Sequence, residues 1–215
     1  MIPIGDENPS RIVPFVNWAI IITCLGVFVW QTSGGSEFFR ETINIYGLTP
    51  NEVIRGEDLH SFVTSIFLHG GIVHVLGNML FLWIFGDNIE DKLGHIRYLI
   101  FYLASGVLAS VIWIIASRGS TQPVVGASGA ISAVMAAYLI MYPSAKVRTL
   151  ITLGLIVWPI KVPAYIMIGL WIALQVVMNF LNPSTGVAYL AHVGGFLVGF
   201  ALAFVIPARE RPESE

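Results

Sequence analysis

The sequence predicts an all-α membrane protein built as a bundle of six transmembrane helices. Three observations carry this. The chain of 215 residues is 56% hydrophobic and 11% charged, where a soluble domain carries about 25% charged and 45 to 50% apolar residues. Its apolar residues gather into windows of about 20, the length a helix needs to cross ~30 Å of hydrocarbon. Six such windows fit, at roughly 13–32, 67–86, 98–117, 124–143, 162–181 and 187–206, and residues 1–215 therefore read as one membrane domain with no separate soluble part.

The first window follows M-I-P-I-G-D-E-N-P-S-R, which lacks the basic n-region of a secretory signal, and no small-residue cleavage site follows it, so the span is expected to be retained. It holds the lone cysteine, Cys24, which excludes an intrachain disulfide and a cysteine-based metal cluster. The second window carries His69, His74 and Asn78, the third no strongly polar side chain, the fourth Ser128 and Ser132, the fifth Gln175 and Asn179, and the sixth His192. Between the fourth and fifth lies T-L-I-T-L-G-L-I-V-W-P-I, residues 149–160, apolar but too short to span, and expected to lie in or near the inner interface. All thirteen Asp and Glu residues are expected in termini or loops, with none between Asp91 and Glu210.

Orientation follows from Lys and Arg, which are retained on the cytoplasmic side. With the N-terminus inside, the inner segments hold Arg11, Lys92, Arg97, Lys146, Arg148, Lys161, Arg209 and Arg211, eight in all, against Arg40, Arg55 and Arg118 outside. Both termini are therefore expected in the cytoplasm, and the second, fourth and sixth spans run inward. At 1.5 Å per residue, His74 and Asn78 then lie about 10 to 17 Å below the outer start of their span, Ser128 about 6 Å and His192 about 8 Å. Polar side chains within a span read as a functional site by default, and these four fall in the same outer half.

Helical spacing adds to this. His74 and Asn78 are i and i+4 and share a face. His192 is followed by Gly195 and Gly199 in A-H-V-G-G-F-L-V-G, on a stripe with a GxxxG pair that lets membrane helices approach closely. Ser128, Ser132 and Ala136 form a small-residue stripe on the fourth span, so the two faces can bring serine to histidine. Each feature has a plainer reading. G-A-S-G-A by itself is a packing face, a single His serves as an interhelical hydrogen bond, a relay or a ligand, and Asn78 serves as interhelical glue. His60 and His95 read as loop residues, Gln175 and Asn179 as holding the fifth span to a neighbour, and Trp83, Trp113 and Trp171 as packing or interface anchors. The soluble hydrolase elbow G-x-S-x-G after a strand does not fit G-A-S-G at a helix start. No metal or other cofactor is implied, since the histidines lack accompanying carboxylates or cysteines. A net charge of -2 and no basic stripe argue against a nucleic-acid partner.

G-A-S-G-A around Ser128, A-H-V-G-G-F-L-V-G around His192, and H-G-G-I-V-H-V-L-G-N-M-L-F-L-W-I-F-G-D-N-I-E-D-K-L-G, which holds HxxxN as His74 and Asn78, together resemble the rhomboid family of intramembrane serine proteases. The last string also supplies Gly86, Glu90 and Gly94, similar to the family's turn after the second span. The resemblance covers roughly residues 58–206 and implies the bare six-span prokaryotic form, in a prokaryotic inner membrane. It further implies Ser128 as nucleophile, His192 as general base, and His74 and Asn78 with the Ser128 backbone N–H as oxyanion hole. H-S-F at 60–62 replaces a frequent Trp-Arg pair, so the first loop is expected to be anchored differently. Ser132 stands where some members place an aromatic ring against the histidine, so His192 must be held another way.

With no carboxylate at this depth, the expectation is a Ser-His dyad and not a triad. Gly70, Gly71, the glycines around Ser128 and the uncharged loop at 182–187 suggest a cavity open to the outer aqueous side. The expected substrates are transmembrane segments of other proteins in the lipid bilayer, locally unwound, with access near the fifth span suggested by the resemblance. Competing readings are a rhomboid-like protein that binds membrane helices without cutting them, and a small transporter with a histidine relay. The relay predicts polar residues through the full membrane depth, and the inner half is almost bare.

Overall fold

A computed structural model of the protein describes residues 2–153, 156–181 and 188–206. The chain runs β1 (Ile2–Asp6), α1 (Phe15–Ser33), α2 (Gly35–Tyr46), α3 (Pro50–Ile54), α4 (Ser61–Phe67), α5 (Ile72–Leu93), α6 (His95–Ala116), α7 (Ser128–Met141), β2 (Lys146–Leu153), β3 (Ile156–Pro163), α8 (Ala164–Leu181) and α9 (Tyr189–Val205). It is mostly helical. Among the described residues α1, α5, α6 and α8 are long and apolar enough to cross a membrane, while α7 and α9, at 14 and 17 residues, are shorter apolar helices.

The windows and helices differ for physical reasons. Fourteen residues reach only about 21 Å, short of a full hydrocarbon thickness. Every residue of α7 from Gly129 to Tyr138 is buried, so protein and not lipid surrounds it, and its neighbours set its length. Helix α5 starts at Ile72, because Gly70 and Gly71 interrupt the apolar window, and runs on to Leu93. Asp87, Asn88, Glu90 and Asp91 therefore occupy its last turns, where the sequence alone points to a loop.

Those polar residues are used. Helix α1 has no side-chain cap of its own, and the first N–H groups of any helix need acceptors. The fully buried Glu90 supplies them, accepting from Val16 N at 3.1 Å and Asn17 N at 2.7 Å. His95, the first residue of α6 and not a loop residue, lies 2.5 Å from the same carboxylate through Nδ1 and stacks on Phe15. Asn17 accepts from the Tyr98 hydroxyl at 2.7 Å and donates to the Leu82 carbonyl. A Cβ on Gly86 would run into Asn17 and the Tyr98 hydroxyl. Gly94, at φ +79, is the only residue between α5 and α6, and this left-handed conformation favours glycine.

The all-α expectation needs one correction. Strands β1, β2 and β3 form an antiparallel three-stranded sheet in that order, with Ile2 opposite Leu150 and Arg148 opposite Lys161. The 149–160 stretch is thus most of a hairpin. Its β-branched residues favour strand, and the period-two pattern is visible at its base, where Val147 and Thr149 are buried while Lys146 and Arg148 are exposed. Because β2 follows α7 and β3 leads into α8, the hairpin returns the chain to the end it left. Asp6 joins the sheet to the bundle, accepting from the Tyr138 hydroxyl at 2.5 Å and Asn88 Nδ2 at 3.2 Å. Burial pushes the Asp6 carboxyl above its ordinary range, against the Tyr138 hydrogen bond and the Arg148 charge, which pull it down.

Candidate active site

Among the described residues, helices α7 and α9 make the most extensive contact between two elements. Gly195 lies directly against the Gly129 carbonyl and Gly199 against the Ala133 backbone, so close that a Cβ on either would collide. The expected pairing of these helices is present, but the α7 face differs by one residue. Gly129 and Ala133 meet the glycines, while Ser128, turned about 100° around a 3.6-residue helix, points beside the contact. Ser132 does not face α9 with its hydroxyl, which donates to the Ser128 carbonyl at 2.6 Å.

The offset brings two chemical groups together. Ser128 Oγ is 2.8 Å from His192 Nε2. On the other side of the ring, His192 Nδ1 is 2.8 Å from Gln175 Oε1 of α8. Gln175 does hold the fifth apolar helix to a neighbour as expected, and that neighbour is the histidine. Asn179 lies one turn further on, half-buried. The Trp171 ring, tilted 33° at a centroid distance of 6.0 Å, and the Tyr189 ring, edge-on at 6.3 Å, flank the imidazole. His192 is thus held without an aromatic at position 132.

His74 and Asn78 face the same space from α5. Gly70 N–H donates to His74 Nδ1 at 3.3 Å, so the ring's other nitrogen, Nε2, carries the proton and is a donor. Asn78 Nδ2 is buried without a hydrogen-bond partner, a second donor left open. Gly126 fits between them and α7. It has φ +129, and a Cβ there would lie 2.8 Å from both Cε1 and Nε2 of His74 and 3.6 Å from Asn78 Nδ2. Ser128 is the first residue of α7, so its backbone N–H lacks an intrahelical partner.

These groups line one cavity of about 840 Å³, which also takes in Gly70, Gly71, Trp171 and Gln175. The 182–187 loop lies outside the described residues. His69 is not in a span but in the turn before α5. It is fully buried, its ring edge-on to that of His74 at 5.2 Å, while its backbone is clamped to Gln31 of α1. The first loop is anchored by His60, whose Nε2 donates to the Ile45 carbonyl at 3.1 Å, and by Thr64, whose hydroxyl donates to the Tyr46 carbonyl at 2.8 Å. Among the described residues no three His, Cys, Asp or Glu side chains converge as a metal site would require. The contact of Gln175 with the site is the feature that the sequence does not announce. Its one signal is a buried-type polar residue one turn after Trp171.

Residues 56–209 match the family model described as the Rhomboid domain. The chain is 33% identical over 198 residues to RHOMBOID-like protein 4 of Arabidopsis thaliana, covering 86% of this chain and 44% of that protein. It is 32% identical over 184 residues to Rhomboid protease GluP of Bacillus subtilis (strain 168), covering 86% and 33%. With the putative rhomboid protease YdcA of the same organism it shares 29% identity over 214 residues, covering 94% and 93%. The chain thus spans less than half the length of the first two and nearly all of the third. With a family match over most of its length, the chain belongs to the rhomboid family.

Proposed function

We propose that the protein is an intramembrane serine endopeptidase that cuts transmembrane segments of other membrane proteins with a Ser128–His192 dyad. The observation that carries this reading is the 2.8 Å approach of Ser128 Oγ to His192 Nε2 inside a cavity that also receives donors from His74 and Asn78. A serine hydroxyl needs a neighbouring base to become nucleophilic. His192 Nε2 takes the Ser128 proton as Oγ bonds to the scissile carbonyl carbon, and the carbonyl π pair moves onto oxygen. That oxyanion receives hydrogen bonds from His74 Nε2–H, Asn78 Nδ2–H and the Ser128 backbone N–H. Loss of one such donor typically costs about 3 to 4 kcal/mol in the barrier. Collapse of the intermediate breaks the C–N bond, the imidazolium gives its proton to the leaving amine, and water repeats the sequence on the acyl-enzyme, releasing the acid and restoring Ser128.

The same reading treats residues 1–215 as one domain in which all six apolar helices, the shorter α7 and α9 included, cross or line the bilayer. It takes the cavity as open to the outer side, the termini as cytoplasmic, and the membrane as a prokaryotic inner membrane. The preferred substrate segment is one whose helix unwinds readily, since a scissile bond within intact helical hydrogen bonds is shielded from attack.

The test is cleavage of a transmembrane substrate by the purified protein and by Ser128→Ala, with fluorophosphonate labelling of both. The native protein is expected to cleave and to be labelled, and the variant to lose both by at least about 1,000-fold. Equal cleavage by Ser128→Ala overturns the protease reading. Absence of both labelling and cleavage in the native protein overturns it in favour of a rhomboid-like protein that binds helices without cutting them.

A further inference from the structure

A neutral imidazole has two tautomers, and only the one with a bare Nε2 can take a proton from Ser128. What selects that tautomer is whatever faces Nδ1. In a serine triad that group is a carboxylate, but the chain has no Asp or Glu between Asp91 and Glu210. The structure puts a neutral group there. Gln175 Oε1 lies 2.8 Å from His192 Nδ1. At its other end Gln175 Nε2 faces the Trp171 carbonyl at 3.5 Å, consistent with Oε1 being turned to the ring. An amide oxygen accepts only, so Nδ1 carries the proton and Nε2 presents its lone pair to Ser128. Gln175 is 8% exposed, so water does not readily replace it.

We propose that Gln175 is the positioning residue of the general base, holding His192 in its Nδ1–H tautomer and its ring plane toward Ser128. This rests on the protease reading. The amide oxygen still receives the Nδ1–H bond when the ring is transiently an imidazolium, without competing for its proton.

Two variants separate orientation from packing. Gln175→Met keeps the length and volume but has no comparable acceptor, and Gln175→Glu keeps an oxygen at the same reach. Gln175→Met is expected to lower kcat by about 10- to 100-fold, the range for leaving one buried donor unsatisfied, with KM within about twofold and fluorophosphonate labelling slowed in parallel. Gln175→Glu is expected to recover most of that loss. Unchanged kcat in Gln175→Met, a loss carried by KM alone, or a Gln175→Glu variant no better than Gln175→Met overturns the proposal. The native protein supplies a measurement free of folding effects, since the ¹⁵N shifts of the His192 ring report the tautomer. Protonation at Nδ1 supports the assignment and protonation at Nε2 overturns it. Ser128→Ala run in parallel separates the two levels. Cleavage by Ser128→Ala removes the protease reading itself, whereas an inactive Ser128→Ala beside a fully active Gln175→Met removes only the role of Gln175.

Discussion

Gly199 rests on the Ala133 backbone, and any Cβ there must push α9 away from α7. Separating two well-packed surfaces typically costs about 1 to 3 kcal/mol. Because Ser128 and His192 sit on those two helices, the damage reaches the site as well as the fold. Gly199→Ala is expected to lower the unfolding temperature and to slow fluorophosphonate labelling. Gly169→Ala on α8, where an added Cβ would meet nothing within 4 Å, is expected to leave both near native values. The GxxxG stripe behind His192 was legible because a glycine repeat at helical spacing has one physical use in a membrane helix. The Gln175 contact was not. Its side chain reaches Nδ1 only for one rotation of α8 about its axis, and an α8 apolar on nearly all sides gives hydrophobic patterning nothing from which to set that rotation.

At the scale of elements, β1 docks on the bundle through Asp6, whose carboxyl is raised from the usual 3.8 by burial. A group whose folded value lies above its unfolded one contributes stability that is fully present below the unfolded value and is lost as pH rises through the folded one. Ionisation of Asp6 as pH rises therefore weakens the docking of β1. Asp6→Asn keeps an oxygen to accept from the Tyr138 hydroxyl and removes the titration. Thermal unfolding followed upward from about pH 4 is expected to show a smaller fall for Asp6→Asn than for the native protein. A native slope retained in Asp6→Asn would count against this role. The hairpin carrying Arg148 was legible as a non-spanning apolar stretch, but its strand character was hidden. The long run of Leu, Ile and Val around its tip covers the alternation that is plain at Lys146–Thr149.

For the whole molecule, the proposed orientation, with both termini cytoplasmic, makes a prediction about the two ends of the bundle. Residues 6 and 146 share an end through the sheet, and the α6–α7 connection lies at the other. In a Cys24→Ser background, an impermeant maleimide added to intact cells is expected to label Thr121→Cys and not Ser144→Cys; the opposite pattern would reverse the orientation. The sheet also sets an order of assembly. Ile2 pairs with Leu150, so the first strand has no partner until the chain has been made beyond α7. At about 5 to 20 residues per second of synthesis, that interval is on the order of 10 s, during which Ile2 and Ile4 stand at an open strand edge. Closure of the sheet is therefore a late event in biogenesis, and it fastens β1 to β2 only after the helices carrying Asn78 and Ser128 have been made.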